Sequence, residues 1–443
     1  MKANRVYIKF SETVGKIKPM HGTGGGPRQT GVYLRTDVSD IFREIGVPFS
    51  RLHDIEGAYS MNQFIDIHCV FPDFNADEND PSSYNFIPTD NYLKGIINAG
   101  TQVFYRLGES IDHFPKKIYV HPPKDYGKWA RICEHVIRHY NEGWANGFNF
   151  NVLYWEIWNE PDNPLMWTGT FDGFYELYKV TARHLKKCFP ALKIGGYSAS
   201  GFYTVSRPEK DCGDWFKTLV PYTEKFFGRL SEESERVPMD FFSWHCYAIR
   251  PEEIRVFALF ARELLAKHGY SDAESILTEY NSFRVFSCVP AKTPDFAAEI
   301  AAGLIVAQNS PVDAVMYYDM RLSAYNDIFA KNLYGDIERL HGFYVFKSFG
   351  DLYRLENQCE SDCKVGGVYV LAAKKGDKAG VMLAVRDFCG VLHFDCDLPE
   401  NAKIAAVRHG YENYNKPVLV VKTARGFKLK VKKDDVYYIE ISL

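Results

Sequence analysis

Two glutamates carry the chemistry this sequence could do. Glu160 closes the run Tyr154-Trp155-Glu156-Ile157-Trp158-Asn159-Glu160-Pro161. Glu279 closes Ser275-Ile276-Leu277-Thr278-Glu279-Tyr280, about 120 residues later. Each follows a short apolar run, as a side chain does where a buried strand opens into a loop. Two such carboxylates can divide the work at an acetal carbon. One protonates the leaving oxygen, and the other attacks or activates water. Either alone would be unremarkable, and the pair makes the argument.

Glu-Pro by itself reads as a turn that stops a strand. The Trp, Ile and Trp before Glu160 shift that balance. A carboxyl beside indoles is partly desolvated, its ionised form is disfavoured and its pKa rises, as a general acid requires. Asn159 sits one position earlier, placed to donate to a sugar hydroxyl. Thr-Glu-Tyr around Glu279 is a common local pattern, and a surface turn would be its default. Its place in the element order counts for more. A carboxylate that must stay ionised needs donors, and Arg51, His245 and Tyr247 are the candidates.

Other features read more blandly. His21-Gly22-Thr23-Gly24-Gly25-Gly26-Pro27 lacks the Gly-Lys-Ser/Thr of a nucleotide loop, and Pro27 falls where a last glycine would, so a flexible loop is expected. His135 and His139 are four apart, as metal ligands can be, but no carboxylate pattern accompanies them; a helix face is expected. Asp319 and Arg321 suggest a salt bridge or turn first. The alternative is that Arg321 binds a substrate carboxylate. Of Tyr317 and Tyr318, one should face the core and Tyr318 the cleft. Neither a metal nor an organic cofactor is expected.

The chain has 443 residues and a net charge of −3, with no long block of one sign. That argues against nucleic acid or an anionic membrane as partner. No apolar stretch is long enough to span a bilayer. Ten cysteines are scattered, without zinc-knuckle spacing, and free thiols are expected. The first residues show no apolar leader, so a cytoplasmic location is expected, or a secreted one if a leader has been lost. Sugar clefts use aromatic faces, and the 15% aromatic content suits both that and a large core.

Short apolar runs alternate with amphipathic stretches up to about residue 340. Candidate strands are Ile17–Met20, Pro48–Leu52, Gln102–Leu107, Leu153–Ile157, Lys193–Gly196, Phe241–His245, Ser275–Leu277 and Ala314–Tyr318. Helical spacing lies between several of them, as in Asp125–Asn141. This predicts an α/β fold, a (β/α)₈ barrel, with the site at the carboxyl ends of the strands. Glu160 then ends strand four and Glu279 strand seven, facing each other across the mouth. The irregular stretch Phe71–Pro88 could rim the cleft. Beyond residue 345, short strand-like runs separated by turns predict a small antiparallel β-sandwich, which Arg5–Phe10 should join. The expected division is 11–344 for the barrel and 1–10 plus 345–443 for the sandwich.

With these segments in place, the chain resembles glycoside hydrolase family 39, which contains β-xylosidases and α-L-iduronidases. The resemblance rests on Ile17-Lys18-Pro19-Met20-His21-Gly22, Phe49-Ser50-Arg51-Leu52-His53-Asp54, Trp155 to Asp162, Ser243-Trp244-His245-Cys246-Tyr247 and Leu277-Thr278-Glu279-Tyr280-Asn281, in that order. It implies Glu160 as acid/base, Glu279 as nucleophile, Asn159 as the 2-hydroxyl contact, His53 as a sugar contact and Tyr247 as partner of the nucleophile. Leu52 and Asp54 depart from it, since the family usually has a small residue and a glycine there. The expected activity is retaining and exo-acting, β-xylosidase-like on plant-type oligosaccharides or glycosides. An endo-acting glycanase and a non-catalytic carbohydrate-binding barrel are the competing expectations. A homo-oligomer is compatible with all three.

Overall fold

The computed structural model describes residues 4–30, 36–55, 64–287, 293–322, 328–410 and 413–443. The chain begins with β1 (Arg5–Lys16), which belongs to a separate sheet. Eight parallel strands then close into a barrel. They are β2 (Gly22–Gly24), β3 (Phe49–Leu52), β4 (Gln102–Leu107), β5 (Tyr154–Ile157), β6 (Lys193–Ala199), β7 (Phe241–Ala248), β8 (Glu274–Ser282) and β9 (Ala314–Tyr317). Helices Ser39–Ile45, Ile87–Asn98, Tyr126–Glu142, Phe171–Cys188, Asp214–Glu232, Glu253–Lys267, Pro294–Gln308 and His341–Leu355 follow them in turn. This is the alternation that the periodicity predicted. No helix among the described residues is long and apolar enough to cross a membrane.

The first strand is displaced from its expected place. Ile17–Met20 is the connector into the barrel, and the strand itself is Gly22–Gly24. A Cβ on Gly22 would lie 2.9 Å from the Val315 carbonyl oxygen. The close approach of β2 to β9 therefore demands a residue that carries no apolar signal. Part of the stretch that reads as a flexible glycine loop is a barrel strand.

Inside the barrel, side chains two residues apart share a face. Phe49, Phe104, Tyr154, Phe241, Ile276, Ala314 and Met316 form an apolar floor. Two residues further along the same strands stand Arg51, Arg106, Glu156, Ser243 and Thr278, all buried. Two further still come His53 and His245. An apolar plug thus carries a polar layer, which carries the mouth.

After β9 come a hairpin, β10 (Phe329–Lys331) with β11 (Ile337–Arg339), and then the second sheet. Its later strands are β12 (Asn357–Cys363), β13 (Val368–Lys375), β14 (Lys378–Val385), β15 (Gly390–Cys396), β16 (Lys403–Gly410), β17 (Asn413–Val418), β18 (Val420–Thr423), β19 (Gly426–Val431) and β20 (Asp435–Ser442). The order is β17-β16-β20-β14-β13-β12-β1-β15-β19-β18. β1 joins this sheet as expected, pairing antiparallel with β12 and parallel with β15. β12 escaped the sequence reading because its residues are mostly polar and only Cys359 is buried.

Alternation along β14 explains how the two parts dock. Val381, Leu383 and Val385 point into the sheet's own core. Met382 and Ala384 point the other way, into the cluster continuous with the barrel helices. Deleting most of the buried Met382 side chain leaves a cavity between the two. Met382→Ala should therefore lower stability by about 2–5 kcal/mol, read by urea denaturation followed by tryptophan fluorescence.

Candidate active site

A cavity of about 650 Å³ opens at the carboxyl ends of the strands. Glu160, Glu279, Asn159, His53, Tyr247, Tyr318 and Arg321 all line it. Arg51 and His245 lie just behind, 1% and 0% exposed. The residues singled out in the sequence thus come together from five strands or strand ends.

Arg51 organises it. Its Nε donates to Glu156 Oε2 at 2.7 Å and its Nη1 to Glu279 Oε1 at 2.8 Å. Its Nη2 donates to Asn159 Oδ1 and, at 2.7 Å, to Ser198 Oγ. Ser198 Oγ in turn donates to Glu156 Oε1 at 2.7 Å. Because the guanidinium can only donate, Asn159 presents its oxygen to Arg51. Its amide N–H groups are left for the cavity.

Glu160 is aimed by an unusual turn. β5 ends at Ile157, and Trp158 and Glu160 take φ of 70° and 45°. Left-handed conformations are costly for such residues and cluster at functional sites. Neighbours hold the turn: Trp158 Nε1 donates to the Met166 carbonyl at 2.9 Å, and Glu160 N–H to the Ser198 carbonyl at 3.1 Å. The carboxyl accepts from Asn163 Nδ2 at 3.0 Å and lies 2.7 Å from His245 Nδ1. Burial pushes its pKa up to about 7, with Asn163 and Arg51 opposing and Asp54 reinforcing. The rise was expected, but its cause differs. Trp155 and Trp158 face away, stacked on Tyr105 and packed on Trp129 and Trp167. Neither lines the cavity.

Glu279 lies inside β8 rather than at its end. Registers slip between Trp244 and His245 against β8, and between Leu277 and Tyr280 against β9. Such bulges re-aim side chains, and here His245 comes to pair with Glu279. Glu279 Oε2 accepts from Tyr247 Oη at 2.8 Å, opposite the Arg51 contact. Of the three expected donors, Arg51 and Tyr247 bind it. His245 Nδ1 is turned to Glu160 and stands 3.6 Å from Glu279. Burial raises the Glu279 pKa too, against the pull of His245, Arg51 and Tyr247. An oxygen of each carboxylate and the His245 nitrogen all lie within 4.8 Å of one another. By spacing, that trio could also hold a cation, but every member is already hydrogen-bonded within the protein. His245 itself is kept neutral, its pKa lowered to about 4 by burial.

The rest of the mouth is tied together. His53 Nε2 is 3.3 Å from Asp54 Oδ1 and 3.9 Å from Glu279. Burial, with Arg106 and Arg51 nearby, holds His53 well below its usual pKa. Tyr318 Oη donates to Asp54 Oδ2 at 2.9 Å. Arg321 binds the Asp319 carboxylate, the Asp54 carbonyl and, at 3.0 Å, Tyr318 Oη. The salt bridge is thus present. Tyr317 packs on Phe346 in the core while Tyr318 faces the cleft. Phe71–Pro88 does not rim the cavity. It lies over helix Tyr126–Glu142, with Phe86 stacked on His139 at 3.6 Å and Arg131 bound to Glu78. His139 meets Asp90 at 2.9 Å, so it belongs to a packed helix face.

The sequence model for glycosyl hydrolases family 39 matches residues 8–295. The chain belongs to glycosyl hydrolases family 39. It is 23% identical over 259 residues to a β-xylosidase of Caldicellulosiruptor saccharolyticus, covering 56% of this chain and 46% of that protein. It is 26% identical over 182 residues to a β-xylosidase of Geobacillus stearothermophilus, covering 41% and 29%. The chain thus spans less than half the length of the curated relatives it matches. Among solved structures, a glucosidase from Croceicoccus marinus aligns over 100% of both chains with a TM-score of 0.76 at 22% identity. A monomeric β-xylosidase from Caulobacter crescentus aligns over 99% of both with a TM-score of 0.69 at 16% identity.

Asp54, one of the departures from the usual family 39 motif, has φ of 49°. Glycine is at ease there, and aspartate is among the few other residues that tolerate it. The exchange keeps the backbone and adds a carboxylate to the mouth. Sequence reasoning missed Glu156 and Ser198, which hold Arg51. A charge in mid-strand with the inward spacing of Tyr154 was the available signal. It also missed Met166, Trp215, Phe216, Phe283 and Phe286, which come from connecting segments with no comparable pattern.

Arg51→Met would leave Glu156 and Glu279 as unpaired buried carboxylates. We expect a stability loss of about 3–5 kcal/mol in denaturant titration. That loss should shrink in acid, where the freed carboxylates take up protons.

Proposed function

We propose that the protein is a retaining, exo-acting glycoside hydrolase, β-xylosidase-like in its glycone. The observation that carries this is the facing of Glu160 and Glu279, with oxygens within 4.8 Å across the cavity. Retaining enzymes place their carboxyls roughly 5–5.5 Å apart, and inverting ones about 6.5–9.5 Å, to admit a water. The environments support a division of labour. Glu279 receives a charged donor at 2.8 Å and is the group to be ionised. Glu160 has no charged donor in contact and holds the shared proton.

In the first step a Glu279 oxygen bonds to the anomeric carbon, and the bond to the leaving oxygen breaks. That oxygen takes the proton of Glu160. In the second step Glu160, now ionised, takes a proton from water as the water oxygen displaces Glu279. Both carboxyls return to their starting states. The Asn159 amide, oriented by Arg51, is placed to donate to a hydroxyl beside the reacting carbon. A cavity of this volume suits a terminal sugar and its aglycone better than the interior of a long chain. The names of two curated relatives, both β-xylosidases, support a pentoside, and membership of family 39 supports the mechanism.

An aryl-glycoside panel of pentosides, hexosides and uronides, with product anomers followed by NMR, tests this. Retained configuration and a preference for β-xyloside are expected; an inverted product would refute the double displacement. Glu279→Gln should lose on the order of 10⁴-fold or more in kcat. Glu160→Ala should lose about 10²–10⁴-fold on poor leaving groups, keep partial activity on activated aryl glycosides and be rescued by azide. Equal, unrescued loss in both would contradict the roles.

The pH profile follows from the raised pKa of Glu160. The acid must carry its proton, so kcat/KM should hold below that pKa and fall as pH rises through about 7. Asp54 is one of the charges raising it. Asp54→Asn should therefore move the alkaline limb to lower pH, measured on an aryl glycoside.

A further inference from the structure

Outside the cavity, two neighbouring helices bring together three different metal-binding groups. Helix Tyr126–Glu142 carries Glu134, and helix Phe171–Cys188, packed beside it, carries His184 and Cys188. His184 and Cys188 are four residues apart, so one helical turn sets both on the same face. Glu134 Oε2 lies 2.6 Å from His184 Nε2, and Cys188 Sγ lies 3.9 Å from that same nitrogen. A carboxylate oxygen, an imidazole nitrogen and a sulfur thus converge, all within 4.8 Å of one another. None of the three residues lines the cavity. The sequence does not announce the cluster, because its third member lies 50 residues away on another helix.

The surroundings leave these atoms to each other. Among the described residues, Oε2, Nε2 and Sγ find hydrogen-bond partners only within the trio. Glu160 and Glu279 differ in this respect, since Asn163, Arg51 and Tyr247 also hold them. Arg138 binds Glu134 through the other oxygen, Oε1, at 2.7 Å, and binds Glu142 as well. It therefore turns Oε2 toward His184, as outer partners orient the ligands of a metal, and a second carboxylate answers its charge. The Glu134 and His184 side chains are 15% and 28% exposed, which leaves a side open to water. Donor atoms on one tetrahedral zinc ion stand about 3.3–3.6 Å apart. The 2.6 Å contact must open and the 3.9 Å contact close, each by less than about 1 Å, and half-buried side chains supply that by small rotations.

We propose that Glu134, His184 and Cys188 bind a divalent zinc ion, with water as the fourth ligand. A thiolate together with an imidazole selects zinc over magnesium or calcium, which prefer oxygen ligands. On binding, the Cys188 thiol gives its proton to solvent and Sγ bonds to the ion. The hydrogen between Oε2 and Nε2 moves to Nδ1 or to solvent. The ion ties two helices together on the outside of the barrel and takes no part in chemistry at its mouth. This proposal stands independently of the glycosidase reading.

Cobalt(II) is the probe, because it accepts the ligands of zinc and its bond to a thiolate absorbs in the near ultraviolet. Titration of the full chain with cobalt chloride, cysteines kept reduced, should give a thiolate band that saturates at one ion per chain. Added zinc should abolish it by competition. Cys188→Ser should lose the band, and His184→Ala and Glu134→Gln should each weaken cobalt binding by about 10–100-fold. Zinc should raise the Tm of the unaltered chain and leave that of Cys188→Ser where it was. Circular dichroism without added metal reports the folding of each variant. No thiolate band in the unaltered chain, or a band that persists in Cys188→Ser, would overturn the site. A band lost in Cys188→Ser with cobalt affinity unmoved in the other two variants would overturn the three-ligand assignment.

Discussion

One buried cation sets the terms for the mouth of this barrel. The Arg51 guanidinium lies out of water with Glu156, Glu279, Asn159 and Ser198 around it. A charge taken from water is tolerated only when its partners meet it with good geometry. That requirement fixes Glu156 below, Glu279 to one side and the Asn159 carbonyl to another. It also decides which face of the Asn159 amide remains for a ligand. Lysine could not serve, because a point charge lacks the planar fork that reaches several acceptors in fixed directions. Positioning in this site is thus an electrostatic consequence of burying one arginine on β3.

The barrel delivers side chains to that cation by simple periodicity, and then breaks the periodicity where chemistry needs it. Phe49, Arg51 and His53 climb β3 at intervals of two, and Tyr154 and Glu156 do the same on β5. Both glutamates proposed for catalysis stand where this regular rise ends. Trp158 and Glu160 itself take left-handed φ just past β5, and Glu279 follows the slip in β8. A regular strand would send alternate residues outward. The irregular backbone brings a carboxylate from each side of the mouth to the same point.

Much of this was legible in the residues. Apolar runs separated by helical spacing gave seven of the eight barrel strands close to their observed places, and the two glutamates fell at the mouth. The eighth was hidden because Gly22 must be small to let β2 approach β9. A steric demand of that kind looks like a loop in one dimension. The bulge at Glu279 was invisible for a related reason, since register belongs to pairs of strands and not to either alone. Tyr247 was one of three candidate donors to Glu279 by residue type, and only the family resemblance singled it out as the partner. His245 pairs with Glu279 in register yet turns its Nδ1 to Glu160, a choice between two nearby carboxylates that residue types alone do not decide. The aromatic wall left no trace, because Trp215, Phe283 and Phe286 gain meaning only when distant connections meet.

The distribution of charge explains why the two carboxyls can differ at all. Burial lowers the pKa of both His53 and His245, which weakens each as a counter-charge. Arg51 is already shared by Glu156 and Glu279, two carboxylates against one cation. Arg321 is bound to Asp319, and Asp54 adds a further negative charge beside them. Burial of a third carboxylate here raises the Glu160 pKa despite Asn163 and Arg51, which favours Glu160 as the protonated partner in the proposed mechanism. Forming a glycosyl ester at Glu279 removes one negative charge from the cluster. The reason for Glu160 to hold its proton then weakens, just when the proposed mechanism requires it to act as a base. The switch from acid to base follows from that electrostatic coupling, with no movement of the backbone needed.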